Sequence, residues 1–442
     1  MAIVTTPRIN GIRFVIIETI LQFVLHAFMA FGFSNCASKQ IRSNVNPRAS
    51  NNTFLEDLLK QHAKHFSHIL ANPDSFRVQV IYTKIDRRKN NEPVFTDYFF
   101  NVDPERYFYP ASSIKLPIAL AALEKIGKLK KHGVDKNTSM ITEGSYSGQT
   151  AVYNEPTSAD GKPSVAHYIK KIFLVSDNDA SNRLYEFLGQ EDLNKLLHSK
   201  GYRETEIWHR LSINMTEPEN RATNPIKFLN DTGLLIYDQP SNLSSFKFKN
   251  RSTYLGKGFM EEGKLIHQPF DFSKKNQVPL HELHSMLKTV LFPTSVSKKR
   301  RFNISGDDRN LVLKYMSQYP AESSYPHYDS TRFWDGYGKF LLWGSEKQQL
   351  PKHIRIFNKI GSAYGFITDV AYLVDFEKNI EFQVSATIYC NSDGIFNDDK
   401  YEYSTVGLPF MKWLGSVLYS YETTRKRIYR PDLKEFKMDY EK

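Results

Sequence analysis

The sequence contains only two cysteines, Cys36 and Cys390, among 442 residues. Two thiols cannot build a disulfide framework or a zinc site made of thiolates. Glycine and proline, with 22 and 20 residues, are too few for a collagen-like or low-complexity chain. Acidic residues number 48 against 59 basic ones, and the resulting net charge of +11 favours an anionic partner without identifying it.

What the sequence does contain is enough apolar surface for a large core. Hydrophobic residues make up 40% and charged residues 24%, which excludes a disordered chain or a multi-span membrane protein. The length fits one large domain with insertions or two ordinary domains. Nucleic-acid-binding motifs are lacking, so we predict no nucleic-acid partner. His281 and His284 are three residues apart, whereas zinc proteases need four, so we predict no metal and no cofactor.

Residues 1–35 have the pattern of an export signal. Arg8 and Arg13 precede an apolar run over residues 14–33, and small polar residues with Cys36 follow it. This arrangement is typical of a secretory signal, and the cysteine resembles the lipidated cysteine of a bacterial lipoprotein. An uncleaved membrane anchor is the alternative, because the run is long enough to span a bilayer. Both interpretations predict a protein exported to the periplasm or cell envelope and attached to a membrane by its N-terminus.

Apolar periodicity predicts five strands and helices at both ends of the folded part. The predicted strands are residues 76–85, 94–100, 353–359, 366–376 and 380–390. The predicted helices are residues 53–71 and 409–421, with a further helical block over 112–188. Short turns make the strands antiparallel, and the terminal helices are available to cover the sheet. The predicted fold class is α+β, with a five-stranded antiparallel sheet, flanking terminal helices and an all-helical subdomain.

A serine and a lysine three residues apart begin the helical block. At a helix start, Ser112 and Lys115 lie on one face within reach of each other. A serine hydroxyl needs a neighbouring base, and lysine can act as one when burial or a nearby cation lowers its pKa. The helix N-terminus also directs free N–H groups towards a developing oxyanion. The same spacing occurs four times in the chain, so it does not identify a site by itself.

Two further motifs follow Ser112 in order. Ser176-Asp177-Asn178 occurs within the helical block, and Lys359-Ile360-Gly361-Ser362 ends the predicted strand 353–359. These three elements, in this order and on these secondary structures, resemble the penicillin-recognising serine hydrolases, which include class A β-lactamases and D-alanyl-D-alanine peptidases. The resemblance spans about residues 54–427 and implies the same sheet-and-helix fold.

The resemblance implies a role for each matched residue. Ser112 is expected to be acylated, with Lys115 accepting its proton and Ser176 relaying a proton to the leaving nitrogen. Asn178 is expected to bind the substrate amide and Lys115, and Lys359 the substrate carboxylate. The N–H groups of Ser112 and Ser362, with Gly361 between Lys359 and Ser362, are expected to form the oxyanion hole. Asp177 is expected to serve the structure.

The sequence departs from the family pattern at two places. Ile360 stands where the family has a hydroxyl residue that binds the substrate carboxylate, so recognition must rest on Lys359, Ser362 or another residue. The family's deacylating loop, Glu-Pro-Glu-x-Asn, is one residue shorter here, at residues 217–220. Glu217 is the expected base only if the shorter loop still directs it at Ser112, and an exposed loop glutamate is the other interpretation. Without a base, an acyl-enzyme would form and persist.

The predicted organisation is a signal peptide over 1–35, a tether over 36–52, a β-lactamase-like domain over 53–427 that contains an atypical insertion within 225–350, and a tail over 428–442. The favoured function is a serine hydrolase of the class A β-lactamase type acting on a β-lactam or related amide. A carboxypeptidase or amidase acting on cell-wall peptides is the first alternative, because Ile360 and the insertion change the expected groove. A non-catalytic envelope-binding protein on the same fold is the second.

Overall fold

The computed structural model describes residues 53–441, so the predicted signal peptide, tether and lipidated Cys36 lie outside the described residues. The helices are α1 (Phe54–Gln61), α2 (Ala63–Ala71), α3 (Lys115–Leu129), α4 (Val165–Val175), α5 (Asn178–Leu188), α6 (Gln190–Ser199), α7 (Glu217–Arg221), α8 (Leu280–Leu291), α9 (Gly306–Ser317) and α10 (Leu408–Thr424). In this part of the chain, no helix has the length and apolar character needed to cross a membrane.

The longest strands form one five-stranded antiparallel sheet, in the order Ile354–Ala363, Phe366–Asp375, Ile380–Tyr389, Gln79–Arg87 and Pro93–Phe100. The strands of the chain are β1 (Gln79–Arg87), β2 (Pro93–Phe100), β3 (Ser139–Thr142), β4 (Ala222–Thr223), β5 (Ile226–Leu229), β6 (Leu235–Gln239), β7 (Asn242–Leu243), β8 (Tyr254–Leu255), β9 (Gly258–Glu261), β10 (Lys264–Ile266), β11 (Phe270–Asp271), β12 (Ile354–Ala363), β13 (Phe366–Asp375), β14 (Ile380–Tyr389) and β15 (Ile395–Phe396). The predicted α+β class is confirmed, together with the five strands of the sheet. Strand β12 continues past Lys359, which therefore lies in the strand rather than at its end.

The terminal helices cover one face of the sheet, as predicted. The single helix expected over 53–71 is two helices, because the chain turns at His62, whose N–H donates to the Leu59 carbonyl at 3.0 Å. Helices α1, α2 and α10 share a buried apolar cluster with the strands, in which Leu59, Phe66 and Leu414 are almost completely inaccessible. This packing removes the apolar faces of the helices and of the sheet from water at the same time, which stabilises both.

A second, larger apolar cluster lies on the other face of the sheet. The buried helix α3 runs through it, and helices α8 and α9 from the predicted insertion join it with Leu283, Met286 and Leu313. Part of segment 225–350 is therefore core. Short strands lie within residues 226–271 of the segment, and of these β5 pairs with β3 and β6.

The predicted tail is held against this second cluster. Phe436 is completely buried, and its ring lies 4.8 Å from Tyr372 and 5.8 Å from Phe292 and from Phe357. Ile428, eight residues earlier, is 90% exposed. Residues 433–436 thus close one side of the core, and the segment before them does not.

Replacing Phe436 with alanine should destabilise the protein, because it leaves a ring-sized cavity among three aromatic side chains. We expect Phe436→Ala to lower the free energy of unfolding by roughly 3–5 kcal/mol. The matched change Ile428→Ala, at an exposed position of the same segment, should change it by less than about 0.5 kcal/mol. Urea denaturation followed by circular dichroism measures both, and equal stability of the two variants would contradict the packing described here.

Candidate active site

Ser112 lies on a short 3₁₀ turn, Ala111–Ile114, that leads directly into helix α3 at Lys115. The first hydrogen bond of the turn runs from the Ser113 N–H to the Pro110 carbonyl at 3.0 Å, so the Ser112 N–H has no acceptor within the turn. Ala111 has φ 47°, a left-handed backbone that is costly for a residue with a side chain. Strain of this kind is common at functional sites. The turn thus offers a hydroxyl and a free N–H side by side.

Lys115 is completely buried and contacts the turn that carries the Ser-Asp-Asn motif. Its Nζ donates to the Ser176 carbonyl oxygen and to Asn178 Oδ1, the latter at 2.6 Å, and lies 3.3 Å from Ser176 Oγ. Within residues 53–441 no side chain hydrogen-bonds the Ser112 hydroxyl, which faces an open pocket. The two motifs are therefore joined through one amine.

The surroundings of Lys115 disfavour its charged form. Burial lowers the pKa of Lys115 well below its ordinary value of 10.5, and the positive charge of Lys359 lowers this pKa further, against a smaller opposing effect of Asp177. A neutral amine has two N–H donors, which the Ser176 carbonyl and Asn178 Oδ1 can take up. Its remaining lone pair is then free to accept a proton from a hydroxyl.

The Ser-Asp-Asn motif, predicted within the helical block, lies where one helix of that block ends and the next begins. Ser176 ends helix α4 with φ 59°, and Asp177 is the N-cap of helix α5, accepting a hydrogen bond from the Ala180 N–H at 2.8 Å. The left-handed residue reverses the chain, so that Ser176 and Asn178 both face Lys115. The structural part expected for Asp177 is therefore helix capping.

Lys359, on a strand of the sheet, also contacts Ser176. Its Nζ donates to Ser176 Oγ at 2.9 Å and to its own neighbour's carbonyl, Ile360, at 3.0 Å. Burial lowers the pKa of Lys359 to about 7; the buried carboxyl of Asp369 opposes this shift and Lys339 adds to it. Two buried amines therefore flank one hydroxyl, that of Ser176.

Behind Lys359 lies a buried polar network that the sequence analysis missed. Lys339 Nζ donates to Asn358 Oδ1 at 2.8 Å, and Asn358 Nδ2 donates to Asp369 Oδ1 at 2.9 Å. Asp369 also accepts from the Leu341 N–H at 3.0 Å. Burial raises the pKa of Asp369 to about 6, and burial lowers that of Lys339 to about 7. Lys339 belongs to the predicted insertion, and no short-range pattern links it to residues on β12 and β13.

Gly361 allows the sheet edge to approach the serine turn. A Cβ at this position would lie 2.2 Å from the Pro110 carbonyl oxygen and 3.2 Å from the Ser112 backbone nitrogen. No side chain fits at these distances. The Lys-Ile-Gly motif therefore needs glycine because the two backbone segments approach closely, and not because of an unusual backbone angle. Gly361 therefore brings β12 directly against Ser112.

The pocket at Ser112 has a volume of about 430 Å³. Ser112, Asn178 and Ser362 line it, as the sequence analysis expects of neighbours in one site. The other lining side chains are mostly aromatic or polar: Tyr109, Tyr364, Tyr401, Tyr403, Ser212, Asn397 and Asp399. Tyr403 is fixed by the Gly365 N–H, which donates to its hydroxyl at 2.8 Å. This pocket partly explains the high tyrosine content of the sequence, although no local sequence pattern identified its four tyrosines as pocket residues.

Glu217 does not line the Ser112 pocket in this structure. Its two carboxylate oxygens pair with Arg221 at 3.0 Å and with Lys274 at 2.8 Å, on the wall of a neighbouring groove. The Lys274 ammonium, followed by Arg221, holds the pKa of Glu217 below its ordinary value, which makes it a weaker base. The geometry therefore gives no support to Glu217 as the deacylating base, because the shortened loop turns its carboxylate towards these two cations.

Possible metal ligands are dispersed in the folded part of the chain. Residues 53–441 contain no group of three or more histidine, cysteine, aspartate or glutamate side chains placed to hold an ion. His284, from the sequence that resembles a metal box, is buried and bonded at 2.8 Å to the hydroxyls of Thr83 and Ser385. Its ring is thus engaged in core hydrogen bonds.

Comparison with known proteins agrees with the motifs. Residues 64–238, which include Ser112, Lys115 and Ser176, match the family model described as the beta-lactamase enzyme family. No curated protein matches the chain. The match confirms the resemblance predicted from the motifs, to the β-lactamase-like serine hydrolases.

Several solved structures are also similar, at low identity. A β-lactamase from Xanthomonas campestris has 14% identity and a TM-score of 0.46, covering 82% of this chain and 98% of its own. A β-lactamase from Sphaerobacter thermophilus has 12% identity and a TM-score of 0.41, covering 82% and 97%. An ancestral class A β-lactamase has 15% identity and a TM-score of 0.44, covering 82% and 99%.

The close approach at Gly361 predicts that any larger residue at this position destabilises the protein. Gly361→Ala should lower the free energy of unfolding by about 1–3 kcal/mol, because the added methyl group meets backbone atoms that cannot yield without moving the serine turn. Gly306→Ala is the control, since nothing lies within 4 Å of a Cβ at that helix start. Chemical denaturation of the two variants measures the difference; a Gly361→Ala protein as stable as Gly306→Ala would contradict this explanation.

Proposed function

We propose that this protein is a serine hydrolase that opens a β-lactam or a related amide through an acyl-Ser112 intermediate. The observation that carries the proposal is the buried Lys115, whose pKa is strongly lowered and whose amine lies one helical turn from Ser112 and in contact with Ser176 and Asn178. A buried lysine with this environment is suited to act as a base rather than as a surface charge. The family match supports the same class of chemistry.

In the proposed acylation, the lone pair of Lys115 accepts the Ser112 hydroxyl proton as the oxygen attacks the substrate carbonyl carbon. The new C–O bond places negative charge on the carbonyl oxygen, where the N–H groups of Ser112 and Ser362 stabilise it. The proton then passes from Lys115 through Ser176 to the leaving nitrogen as the C–N bond breaks. The short contacts of Ser176 Oγ with Lys115 and Lys359, 3.3 and 2.9 Å, support this route.

Substrate binding is proposed to use groups on both sides of the serine. Asn178, whose Nδ2 also donates to Ser212 at 2.8 Å, is placed to bind the substrate amide. Lys359, which is charged below a pH of about 7, is proposed to attract the substrate carboxylate, with Ser362 on the pocket wall supplying the hydroxyl that Ile360 lacks. Protein groups alone supply every step of this mechanism.

The test is mass spectrometry of the intact protein after incubation with benzylpenicillin. We expect a covalent adduct of one penicillin on Ser112, absent in Ser112→Ala and strongly slowed in Lys115→Met, because the nucleophile or its base is removed. Ser295→Ala is the matched control, since Ser295 also has a lysine three residues later but lies elsewhere in the chain. If the wild-type protein is folded but forms no adduct, the proposal is contradicted and a non-catalytic envelope-binding protein is favoured.

The position of Glu217 favours a second candidate within the same chemistry, a carboxypeptidase or amidase acting on cell-wall peptides. The carboxylate of Glu217 forms ion pairs with Arg221 and Lys274 and does not line the pocket of Ser112. An enzyme without a positioned base for water releases a penicilloyl group slowly. Such an enzyme would be inhibited by penicillins rather than destroy them.

Slow hydrolysis of the acyl-enzyme predicts an initial burst of product followed by little further turnover. With nitrocefin we expect roughly one equivalent of product per protein and then a slow steady rate, and Glu217→Gln should leave that steady rate unchanged. Glu219→Gln is the matched control in the same loop, where Glu219 caps helix α7. Fast multiple turnover that is lost in Glu217→Gln but kept in Glu219→Gln would instead establish Glu217 as the base and a true β-lactamase.

A further inference from the structure

A second groove opens directly beside the Ser112 pocket. It has a volume of about 500 Å³ and shares Tyr109, Ser212 and Tyr364 with that pocket. Its far wall comes from residues 271–275, which belong to the predicted insertion. A substrate bound at Ser112 and longer than the first pocket would therefore extend over these residues.

If Asn178 binds the substrate amide, as in the proposed function, the acyl side of the substrate faces this groove. Asn178, placed to bind the substrate amide, donates to Ser212 Oγ at 2.8 Å, and Ser212 lies on the wall common to both pockets. A substituent that continues beyond that amide thus passes Ser212 into the groove. What the groove contains then decides which acyl groups are favoured.

Lys275 is the unusual group in this groove. Its Nζ lies over the rings of Phe270 and Tyr364, at 5.7 and 6.0 Å from their centroids. Within residues 53–441 this amine makes neither a hydrogen bond nor an ion pair. Burial lowers the pKa of Lys275, and the carboxylate of Asp271 opposes that shift without coming into ion-pair contact. The ammonium has therefore lost water and gained two aromatic faces, but it has no hydrogen-bond acceptor and no ion-pair partner in this part of the chain.

The other cations of the groove are already paired with carboxylates. Lys274 and Arg221 hold Glu217, and Arg210 donates to Glu186 at 2.8 Å. Asp271 accepts from the Ser273 N–H at 2.7 Å and is exposed to solvent. Among the cations that line the groove, Lys275 is the one without an ion-pair contact, and two aromatic faces hold its position.

We propose that Lys275 forms an anion subsite that selects substrates with a carboxylate on the acyl substituent. The inference rests on the proposed function, since it assigns the acyl side from the place of Asn178 beside Ser112. A carboxylate at Lys275 would supply the missing charge partner in a partly desolvated groove, where such a pair is stronger than at a free surface.

The experiment compares two penicillins that differ by one group. Carbenicillin carries a carboxylate on the benzylic carbon of its acyl side chain, and benzylpenicillin carries a hydrogen there. Calorimetric binding to the full chain with Ser112→Ala, which cannot be acylated, should be about tenfold tighter for carbenicillin, a difference of about 1.4 kcal/mol. Adding Lys275→Met should remove the preference, and adding Lys275→Arg should retain it.

Controls separate this inference from the proposed function. Lys264→Met removes one exposed charge of the same insertion outside the groove and should leave the preference unchanged. No carbenicillin preference in the Ser112→Ala protein, or a preference that Lys275→Met does not alter, overturns the anion subsite even if Ser112 is acylated. Conversely, a Lys275-dependent preference in a protein whose Ser112 is never acylated supports the subsite and refutes the hydrolase.

Discussion

The contact of two buried lysines with one serine hydroxyl is the constraint on which the site depends. Lys115 arrives from a buried helix and Lys359 from the edge strand of the sheet, and both reach Ser176 Oγ. Burial lowers the pKa of both lysines, and the positive charge of Lys359 lowers the pKa of Lys115 further. In the proposed function, that shift makes Lys115 the base for the Ser112 nucleophile.

The fold explains how these groups are held in place. Helix α3 is buried on almost all sides, the Ser-Asp-Asn turn is fixed by a left-handed residue and a helix cap, and Gly361 lets the sheet edge touch the serine turn. The network of Lys339, Asn358 and Asp369 supports Lys359 from behind. Positions set by backbone packing in this way are more precise than positions on free loops.

Much of this arrangement could be predicted from the sequence, because motif order and apolar periodicity are local signals. Five strands, the terminal helices and the gathering of Ser112, Asn178 and Ser362 around one pocket follow from them. The turn at Ser176 was missed, since its left-handed backbone has no signature in a helical pattern. Lys339, Lys275 and the pocket tyrosines were missed because only tertiary contacts bring them near the motifs. Export and lipidation at Cys36 stay predictions.

The buried setting of Lys115 favours the neutral amine over the ammonium form, and this preference can be measured directly. Lysine side chains labelled with carbon-13 at Cε report their own protonation by NMR, and Lys115→Arg identifies the resonance. We expect Lys115 to titrate well below the ordinary pKa of 10.5, and Lys359 to titrate at about 7. If Lys115 instead stays charged up to the pH range of a free lysine, its surroundings do not favour the neutral amine and it cannot serve as the base.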